Sequence, residues 1–405
     1  MVAEGAGPAR VATEVNRDVP VAARGEFGPL QLRRLSVWPP VVLAPMAGVT
    51  NYAFRSLCRE YGAGLYVSEM ITARGFLLGN ALTTLLASSH ADEVPRSVQV
   101  YGADPVDLGE MVKRLVDQGV HHLDINMGCP VPKVTRAGGG SAIPVKPRLL
   151  ARLVRAMVHN AGDVPVTVKM RKGIDDDLLT FRAAGRVAAD EGASAVGLHA
   201  RTAAQLYSGE ADWDAIGQLV ADLSVPVLGN GDIWECWDAL RMMRTTGCAG
   251  VIVGRGCLGR PWLFRELASV FDGREPEPPP RFDAIIEVMC DHAARSIALF
   301  GERMGMRQFR KWTAWYTKGF AGSARVRGAL MRIERLEDLR PLLAELDAHA
   351  AFPVAALRAG RAKGSKTQRV RLPEGYLDDL EDDTPPRGPH TAEEIAEWEK
   401  ALDGG

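Results

Sequence analysis

Eight short apolar runs, each followed by a stretch with helix-like spacing of apolar residues, occupy the chain from residue 41 to about residue 270. The runs cover residues 41–45, 65–69, 97–101, 122–126, 166–170, 195–199, 225–229 and 250–254. Continuous apolar strands indicate a sheet that is covered on both faces. Eight parallel strands that alternate with helices close a (β/α)₈ TIM barrel of roughly 250 residues. The pattern therefore predicts an α/β fold with such a barrel at residues 37–271.

The residues that end these runs would share one face of the barrel, because the carboxyl ends of the strands form its active face. The candidate residues at this rim are Pro45, Met46, Ala47, Glu69, Met70, Gln99, Asn126, Cys129, Lys169, Arg171, His199, Arg201, Asn230, Gly231, Asp232, Gly254, Arg255 and Gly256. Taken singly, each has an ordinary alternative: a lysine at a strand end is usually a solvated charge, and His199 alone would be a structural residue. Polar residues at so many strand ends favour a common site.

Glycines flank the loops after the seventh and eighth runs, at residues 229–231 and 254–256. In these barrels the corresponding loops commonly bind phosphate, because glycine lets backbone N–H groups approach an anion closely. Arg255 would add a charge-assisted hydrogen bond. The alternative is that these glycines only form tight turns between strand and helix.

A cysteine stands on the tight loop that follows the fourth run. Gly128 and Pro130 end the apolar alternation of residues 122–126 and leave Cys129 between them. A free cysteine is most often a small buried hydrophobe. The neighbouring proline and polar residues instead favour a reactive thiol that faces a site.

The composition is that of an ordinary globular protein, with a formal net charge of -1 and 46% hydrophobic residues. The cysteines form no Cys-x-x-Cys pair, which disfavours a zinc site and a disulfide framework and suits a reducing cytoplasm. Residues 1–36 contain no apolar segment long enough for a signal peptide or a membrane span. We expect them to form a flexible extension, and we expect neither a metal nor a membrane as a partner.

A proline-rich linker at residues 272–281 ends the predicted barrel, and the helical periodicity of residues 282–352 predicts a small all-α domain. Its segment 303–327 carries seven basic residues and no acidic ones. Three aromatic residues are interleaved with them, Trp312, Trp315 and Tyr316. This mixture suits a nucleic-acid backbone, although a charge run is usually a solvated face. Residues 353–405 form a tail that is first basic and then acidic, for which we expect disorder.

Six segments together resemble the motifs of the tRNA-dihydrouridine synthases, most closely those of the bacterial B-type branch. They lie at residues 44–51, 124–130, 168–171, 199–202, 229–232 and 254–256. The resemblance runs from about residue 38 to residue 340, and the Cys-Pro loop is its most specific element. It implies an FMN-bound barrel, a helical domain that grips tRNA, and NADPH-dependent reduction of tRNA uridines to 5,6-dihydrouridine in the cytoplasm. We expect a monomer.

The resemblance also implies roles for single residues. Cys129 would give a proton to uracil C5 after flavin N5 has delivered a hydride to C6. The cofactor would be held by Pro45, Met46, Ala47, Gln99, Lys169, His199, Asn230, Gly231, Asp232, Gly254 and Arg255. The tRNA would be bound by Asn126, Arg201, Arg307, Arg310 and Lys311. Two positions depart from the family pattern: Ala203 where an arginine is common, and Trp312 where a histidine is common.

Two other functions fit parts of the sequence. A flavin barrel acting on a free small molecule, as in the dihydroorotate dehydrogenases, would explain the rim but not the basic helical domain. A tRNA-binding flavoprotein without catalysis would explain that domain, although Cys129, Lys169 and Arg201 are all present.

Overall fold

The computed structural model describes residues 10–88, 90–361 and 366–386. A short antiparallel hairpin, β1 (Leu30–Leu32) and β2 (Leu35–Val37), precedes a curled parallel sheet. The strands of this sheet are β3 (Val41–Leu43), β4 (Leu65–Tyr66), β5 (Ile71–Thr72), β6 (Ser97–Tyr101), β7 (His122–Met127), β8 (Val166–Arg171), β9 (Ala195–His199), β10 (Val227–Asn230) and β11 (Gly250–Val253).

The sheet closes into a ring of eight strands. Neighbouring strands pair in the order β4-β3-β11-β10-β9-β8-β7-β6-β5. A parallel bridge between Val67 and Ser97 joins the end of β4 to the start of β6, and the short β5 pairs only with the far end of β6. The predicted TIM barrel is therefore confirmed.

Ten helices of the described chain accompany the barrel. They are α1 (Tyr52–Glu60), α2 (Ala73–Leu77), α3 (Ala81–Leu86), α4 (Pro105–Asp117), α5 (Pro132–Arg136), α6 (Pro147–Ala161), α7 (Phe181–Asp190), α8 (Trp213–Asp222), α9 (Cys236–Thr246) and α10 (Leu263–Phe271). The longer ones bury one apolar face, as α6 does with Leu149, Leu153 and Met157. None of the helices in the described ranges is long and apolar enough to cross a membrane.

Four further helices follow an irregular segment at residues 274–281. They are α11 (Phe282–Phe300), α12 (Glu302–Tyr316), α13 (Ser323–Leu330) and α14 (Leu339–Leu343). Phe54 of α1 packs against His292 and Trp312, with ring centroids 5.5 and 4.4 Å away. An ion pair between Arg295 and Glu60 (2.7 Å) adds a polar contact. The helical part therefore packs against α1, the first helix of the barrel.

The expectation that the aromatic residues of α12 face RNA is wrong for two of the three. Trp312 and Tyr316 are fully buried, and Tyr316 shares a hydrogen bond with His292. Both lie with Phe309 on one face of the helix, because residues three and four apart are neighbours on a helix surface. These aromatic residues stabilise the packing of α12 on α11 and α1.

The expectation of a flexible extension up to residue 36 does not hold for its described part. The Asn16 side chain is fully buried and donates to Glu235 Oε1 and Asp238 Oδ1, both at 3.0 Å. Leu30 and Leu32 of the hairpin share an apolar cluster with Leu65 and Leu228 of the barrel. Residues 10–36 are thus part of the packed structure, while residues 1–9 lie outside the described chain.

The tail expected to be disordered is also packed over much of its length. Arg358 pairs with Glu235 (2.9 Å), which directly precedes α9, and with Asp238 (2.8 Å) on α9. Tyr376 is 6% exposed and sits in an apolar cluster with Ala142 and Ile174. Long-range ion pairs and a buried aromatic ring hold these segments. Residues 362–365 and 387–405 lie outside the described chain.

Candidate active site

The Cys129 loop is fixed at the carboxyl end of β7 by hydrogen bonds from three directions. Asn126 Oδ1 accepts the backbone N–H groups of Gly128 (3.2 Å) and Cys129 (2.9 Å). The Arg171 guanidinium donates to the Gly128 carbonyl (3.0 Å), and Ser141 N–H donates to the Cys129 carbonyl (3.1 Å). The thiol itself is half-buried. Burial raises the pKa of Cys129, so the loop presents a protonated thiol.

The glycine run after this loop lets the chain return close to the cysteine. Gly140 has a φ of +55°, and an added Cβ would lie 2.5 Å from the Cys129 carbonyl oxygen and 3.1 Å from Cys129 Cβ. A larger residue would therefore push the Cys129 loop out of position. Glycine at 140 is required for this close contact.

A chain of hydrogen bonds connects the Cys129 loop to a buried carboxylate inside the barrel. Asn126 Nδ2 donates to Gln99 Oε1 (2.8 Å), and Gln99 Nε2 donates to Asp124 Oδ2 (2.7 Å). The Thr167 hydroxyl donates to the other carboxylate oxygen of Asp124. Burial raises the pKa of Asp124 to about 6. Asp124 was not among the predicted site residues, although its position two residues before Asn126 places both on the same face of a strand.

The same chain continues on the far side of Asp124. His122 Nε2 lies 3.0 Å from Thr167 Oγ1, and His122 Nδ1 lies 2.7 Å from Ser97 Oγ. Burial lowers the pKa of His122 to about 3, so the ring is neutral. Since Thr167 donates to the carboxylate, its oxygen accepts from His122 Nε2–H, and His122 Nδ1 accepts from Ser97. All donors in this network therefore point towards Asp124.

A lysine and a histidine line the rim on the next two strands. Lys169 Nζ donates to Asn230 Oδ1 (3.0 Å), and Asn230 Nδ2 donates to the Ile252 carbonyl (2.8 Å). Burial, and then the nearby Arg171 guanidinium, lower the pKa of Lys169 to about 8. Burial and the surrounding cations hold the pKa of His199 well below its ordinary value. The rim thus combines a poorly solvated ammonium group with a neutral imidazole.

The loops after β10 and β11 contact each other, and two arginine side chains lie at their contact. A Cβ added to Gly256 would lie 2.1 Å from the Ile233 carbonyl oxygen, so glycine allows the two loops to meet. Asp232 accepts from Arg201 (2.8 Å) and, at 3.5 Å, from Arg255. Two guanidinium groups therefore share one carboxylate.

Part of this cluster still has hydrogen-bonding capacity. Arg201 Nη1 is buried and has no hydrogen-bond partner in the described chain, and it lies 3.8 Å from where a Cβ on Gly231 would be. A cleft of about 950 Å³ opens here, with Tyr207 and Trp234 in its wall. The Arg255 guanidinium stacks between these two rings, 4.6 and 5.0 Å from their centroids. The arrangement suits an anionic group.

The structure brings most of the predicted rim residues together, and it engages Arg201 in contacts within the protein. Arg201 is 1% exposed and also donates to the Ser208 (3.0 Å) and Gly209 (2.6 Å) carbonyls. Pro45 and Met46 are half-buried and Ala47 is exposed on the loop after β3. Arg171, which was placed at the rim without a role, anchors the Cys129 loop through a contact far along the chain that the sequence does not indicate.

The predicted tRNA-binding residues of α12 differ in their surroundings. Arg307 is exposed. Arg310 donates to the Ile333 carbonyl (2.7 Å), and Lys311 donates to the Gly48 carbonyl on the loop after β3. Lys311 therefore links the helical part to the barrel rim. In the described ranges, no group of three or more His, Cys, Asp or Glu residues could hold a metal ion.

A closed barrel with a protonated thiol, a poorly solvated lysine and a cationic loop pair at its mouth has the features of a TIM-barrel enzyme. The family model described as dihydrouridine synthase (Dus) matches residues 42–353. A probable tRNA-dihydrouridine synthase of Mycobacterium tuberculosis (strain CDC 1551 / Oshkosh) is 47% identical over 373 residues, which cover 89% of this chain and 94% of the relative. The tRNA-dihydrouridine synthase B of Xanthomonas axonopodis pv. citri (strain 306) is 40% identical over 306 residues, which cover 75% and 92%. The chain belongs to the dihydrouridine synthase family, as the motifs predicted.

Proposed function

We propose that the protein reduces uridines in tRNA to 5,6-dihydrouridine, with FMN as its cofactor and NADPH as the reductant. The observation that carries the proposal is the Cys129 thiol, held at the barrel mouth on a loop with three anchors and kept protonated by burial. The reaction needs such a proton donor. Six free cysteines, all described, suit a reducing cytoplasm, where we propose that the protein acts as a monomer.

The side chains at the rim fit FMN. The buried Arg201 Nη1 without a partner lies near Gly231, and the Arg255 guanidinium shares the Asp232 carboxylate with Arg201, so a phosphate would find donors here. The Lys169 ammonium group donates one hydrogen bond to Asn230. Its other N–H donors would be available to the electron-rich edge of the flavin ring system. Reduced FMN, when bound, supplies the hydride for uracil C6.

We assign the remaining cofactor contacts to residues that surround these groups. The residues proposed to hold the flavin ring are Pro45, Met46, Ala47, Gln99 and His199. The residues proposed to hold the ribityl chain and phosphate are Asn230, Gly231, Asp232, Gly254 and Arg255. Because Asp232 already pairs with two arginines, its part in binding would be to orient their guanidinium groups.

The proton for uracil C5 would come from Cys129. A nucleophilic cysteine needs a lowered pKa, whereas burial raises the pKa of Cys129, and this favours a general acid. The hydrogen bond that Cys129 N–H donates to Asn126 Oδ1 and the one that Arg171 donates to the Gly128 carbonyl would keep the sulfur in one position while the uracil lies at the rim. Asn126 would also orient the base.

A uridine inside folded tRNA must leave its stack to reach this rim, at a cost of a few kcal/mol. Contacts between the rest of the tRNA and the helical part would offset that cost. Arg307 is exposed, and we propose that it contacts phosphates. Arg310 and Lys311 donate to backbone carbonyls, so we propose that they mainly hold α12 against its neighbours.

Replacement of Cys129 tests the proposal. The purified wild-type protein should carry FMN and form dihydrouridine in unmodified tRNA. Cys129→Ala should lower the rate of dihydrouridine formation by about 10² or more, the scale of a lost general acid, while NADPH oxidation by oxygen stays nearly unchanged. Cys290→Ala is the control, because Cys290 is also half-buried but lies on α11.

Two results would contradict the proposal. Equal loss of both activities in Cys129→Ala would indicate a structural cysteine. A wild-type protein that binds FMN and oxidises NADPH but leaves tRNA unmodified would favour a small-molecule substrate instead.

A further inference from the structure

The segment 366–386, here called the C-terminal strap, crosses the barrel mouth beside the Cys129 loop. Gln368 N–H donates to the Ala204 carbonyl (2.9 Å), and its side chain donates to the carbonyls of Pro130 (2.7 Å) and Ala203 (3.1 Å). Pro130 directly follows Cys129, and Ala203 follows the His199 to Thr202 motif. One side chain of the strap therefore bridges the loops after β7 and β9.

The far end of the strap is anchored by its acidic residues. Asp382 pairs with Lys146 Nζ (2.6 Å), and Glu381 pairs with Arg148 (2.6 Å). Asp383 accepts from Arg152 through its backbone carbonyl (2.8 Å). These contacts connect three consecutive acidic residues to α6 and to Lys146, which directly precedes that helix. This part of the acidic segment is therefore bound to the barrel and does not neutralise the basic part.

The basic part of the strap alternates between the barrel and solvent. Val370 and Leu372 pack against the apolar cluster that contains Tyr376. Arg369 directly precedes Val370, and Arg371 lies between Val370 and Leu372. Both arginines are exposed. Because side chains of an extended segment alternate between two faces, the two arginines share the outward face. The anchoring thus fixes positive charge next to the Cys129 loop.

Further cations lie on the same rim. Lys366 is exposed at the start of the strap, and Arg136 is exposed on α5, the helix that follows the Cys129 loop. None of Arg136, Lys366, Arg369 and Arg371 has an ion-pair partner in the described ranges. Within the strap, acidic residues begin only at Glu374. The mouth therefore has a local excess of positive charge on a chain whose formal net charge is -1.

We propose that the basic part of the strap, with Lys366, Arg369 and Arg371, is a second tRNA-binding surface that contacts phosphates near the uridine being reduced. The inference rests on the proposed function, which brings a polyanion to this rim. An extruded nucleotide leaves its flanking phosphates at the mouth of the pocket, where cations on a fixed segment lower the cost of extrusion. Each phosphate that is neutralised releases counterions and makes binding depend on salt.

The test compares two triple variants with the same change in charge. The strap variant is Lys366→Ser, Arg369→Ser and Arg371→Ser. The control variant is Arg24→Ser, Arg34→Ser and Lys113→Ser, which removes three exposed cations on the hairpin side of the barrel and on α4. Affinity for unmodified tRNA is measured between 50 and about 300 mM salt, together with dihydrouridine formation and NADPH oxidation without tRNA.

The strap variant should bind tRNA about tenfold or more weakly at low salt. Its plot of log affinity against log salt should be shallower by about 2 to 3, since each lost phosphate contact removes about 0.7 to 0.9 from the slope. Dihydrouridine formation at low tRNA should fall with affinity, whereas FMN content and NADPH oxidation should match the wild type. Equal affinities and slopes for the two variants would overturn the inference.

The same measurements separate this inference from the proposed function. If the wild type binds tRNA but forms no dihydrouridine, the proposed function fails, and the comparison of the two variants still decides the role of the strap. If the wild type binds no tRNA, both are overturned.

Discussion

Replacing Lys169 with methionine should stabilise the cofactor-free protein while weakening its binding of FMN. The structure places the ammonium group where burial and Arg171 lower its pKa from 10.5 to about 8. That difference corresponds to about 3 kcal/mol against the charged form at neutral pH. Methionine removes this cost. It also leaves Asn230 Oδ1 without its donor, a loss of about 1 to 3 kcal/mol, so the expected net stabilisation is about 1 kcal/mol.

The pH dependence of this gain follows from linkage. Between pH 8 and 10.5 the unfolded chain holds the Lys169 proton more tightly than the folded protein does, so this group makes the free energy of unfolding rise with pH. Lys169→Met lacks that rise. The variant should therefore be the more stable protein at pH 7, and its advantage should shrink above pH 8 and reverse before pH 10.5, because the unpaired Asn230 Oδ1 remains after the cost of the charge is gone.

Urea unfolding of flavin-free protein at several pH values measures both effects, and FMN titration measures binding. Loss of a charge-assisted contact should weaken FMN binding about tenfold or more. Lys113→Met on α4 is the matched control, because Lys113 is exposed and its removal should change neither quantity appreciably. A variant that is less stable than the wild type by the same amount at every pH would refute the reasoning.

Two further changes test other parts of the structure. Arg307→Glu should weaken tRNA binding most at low salt without changing FMN content, and an affinity equal to that of Lys113→Glu would move the RNA surface away from α12. Gly256→Ala should lower the melting temperature and FMN content, because the new Cβ would lie 2.1 Å from the Ile233 carbonyl oxygen; Gly28→Ala, with nothing within 4 Å of its added Cβ, is the control, and equal melting temperatures would contradict the prediction.

The barrel was predictable because its signal is local. Each strand is a short apolar run, and the chain returns to the rim after every helix, so strand ends such as Asn126 and Lys169 could be grouped without knowing the packing. The position of the tail was not predictable in this way. Its anchoring depends on pairs such as Asp382 with Lys146, which are 236 residues apart, and a sequence pattern does not indicate which distant partners will meet.

Two misjudged residues show different limits. Trp312 was assigned to RNA because basic residues surround it, although its helical spacing from Phe309 and Tyr316 already indicated a buried face. Arg201 was predicted to bind the tRNA, whereas its side chain is buried and paired with Asp232 at 2.8 Å. The prediction for Trp312 was wrong because it relied on the neighbouring basic residues and not on the helical spacing of the aromatic residues. The error for Arg201 could not be avoided, because a strand-end arginine can face either a ligand or a neighbouring loop.

The hydrogen-bond network at the rim determines what its amides can offer a ligand. At one end of this network, the backbone N–H groups of Gly128 and Cys129 can only donate. At the other end, the ionised Asp124 carboxylate can only accept. The Asn126 and Gln99 amides between them are therefore held in one orientation each. Asn126 Oδ1 already accepts two N–H groups, so the free capacity of this side chain is one N–H donor. In the proposed reaction Asn126 must then bind a carbonyl oxygen of uracil and not its N3–H, because no acceptor remains on that side chain.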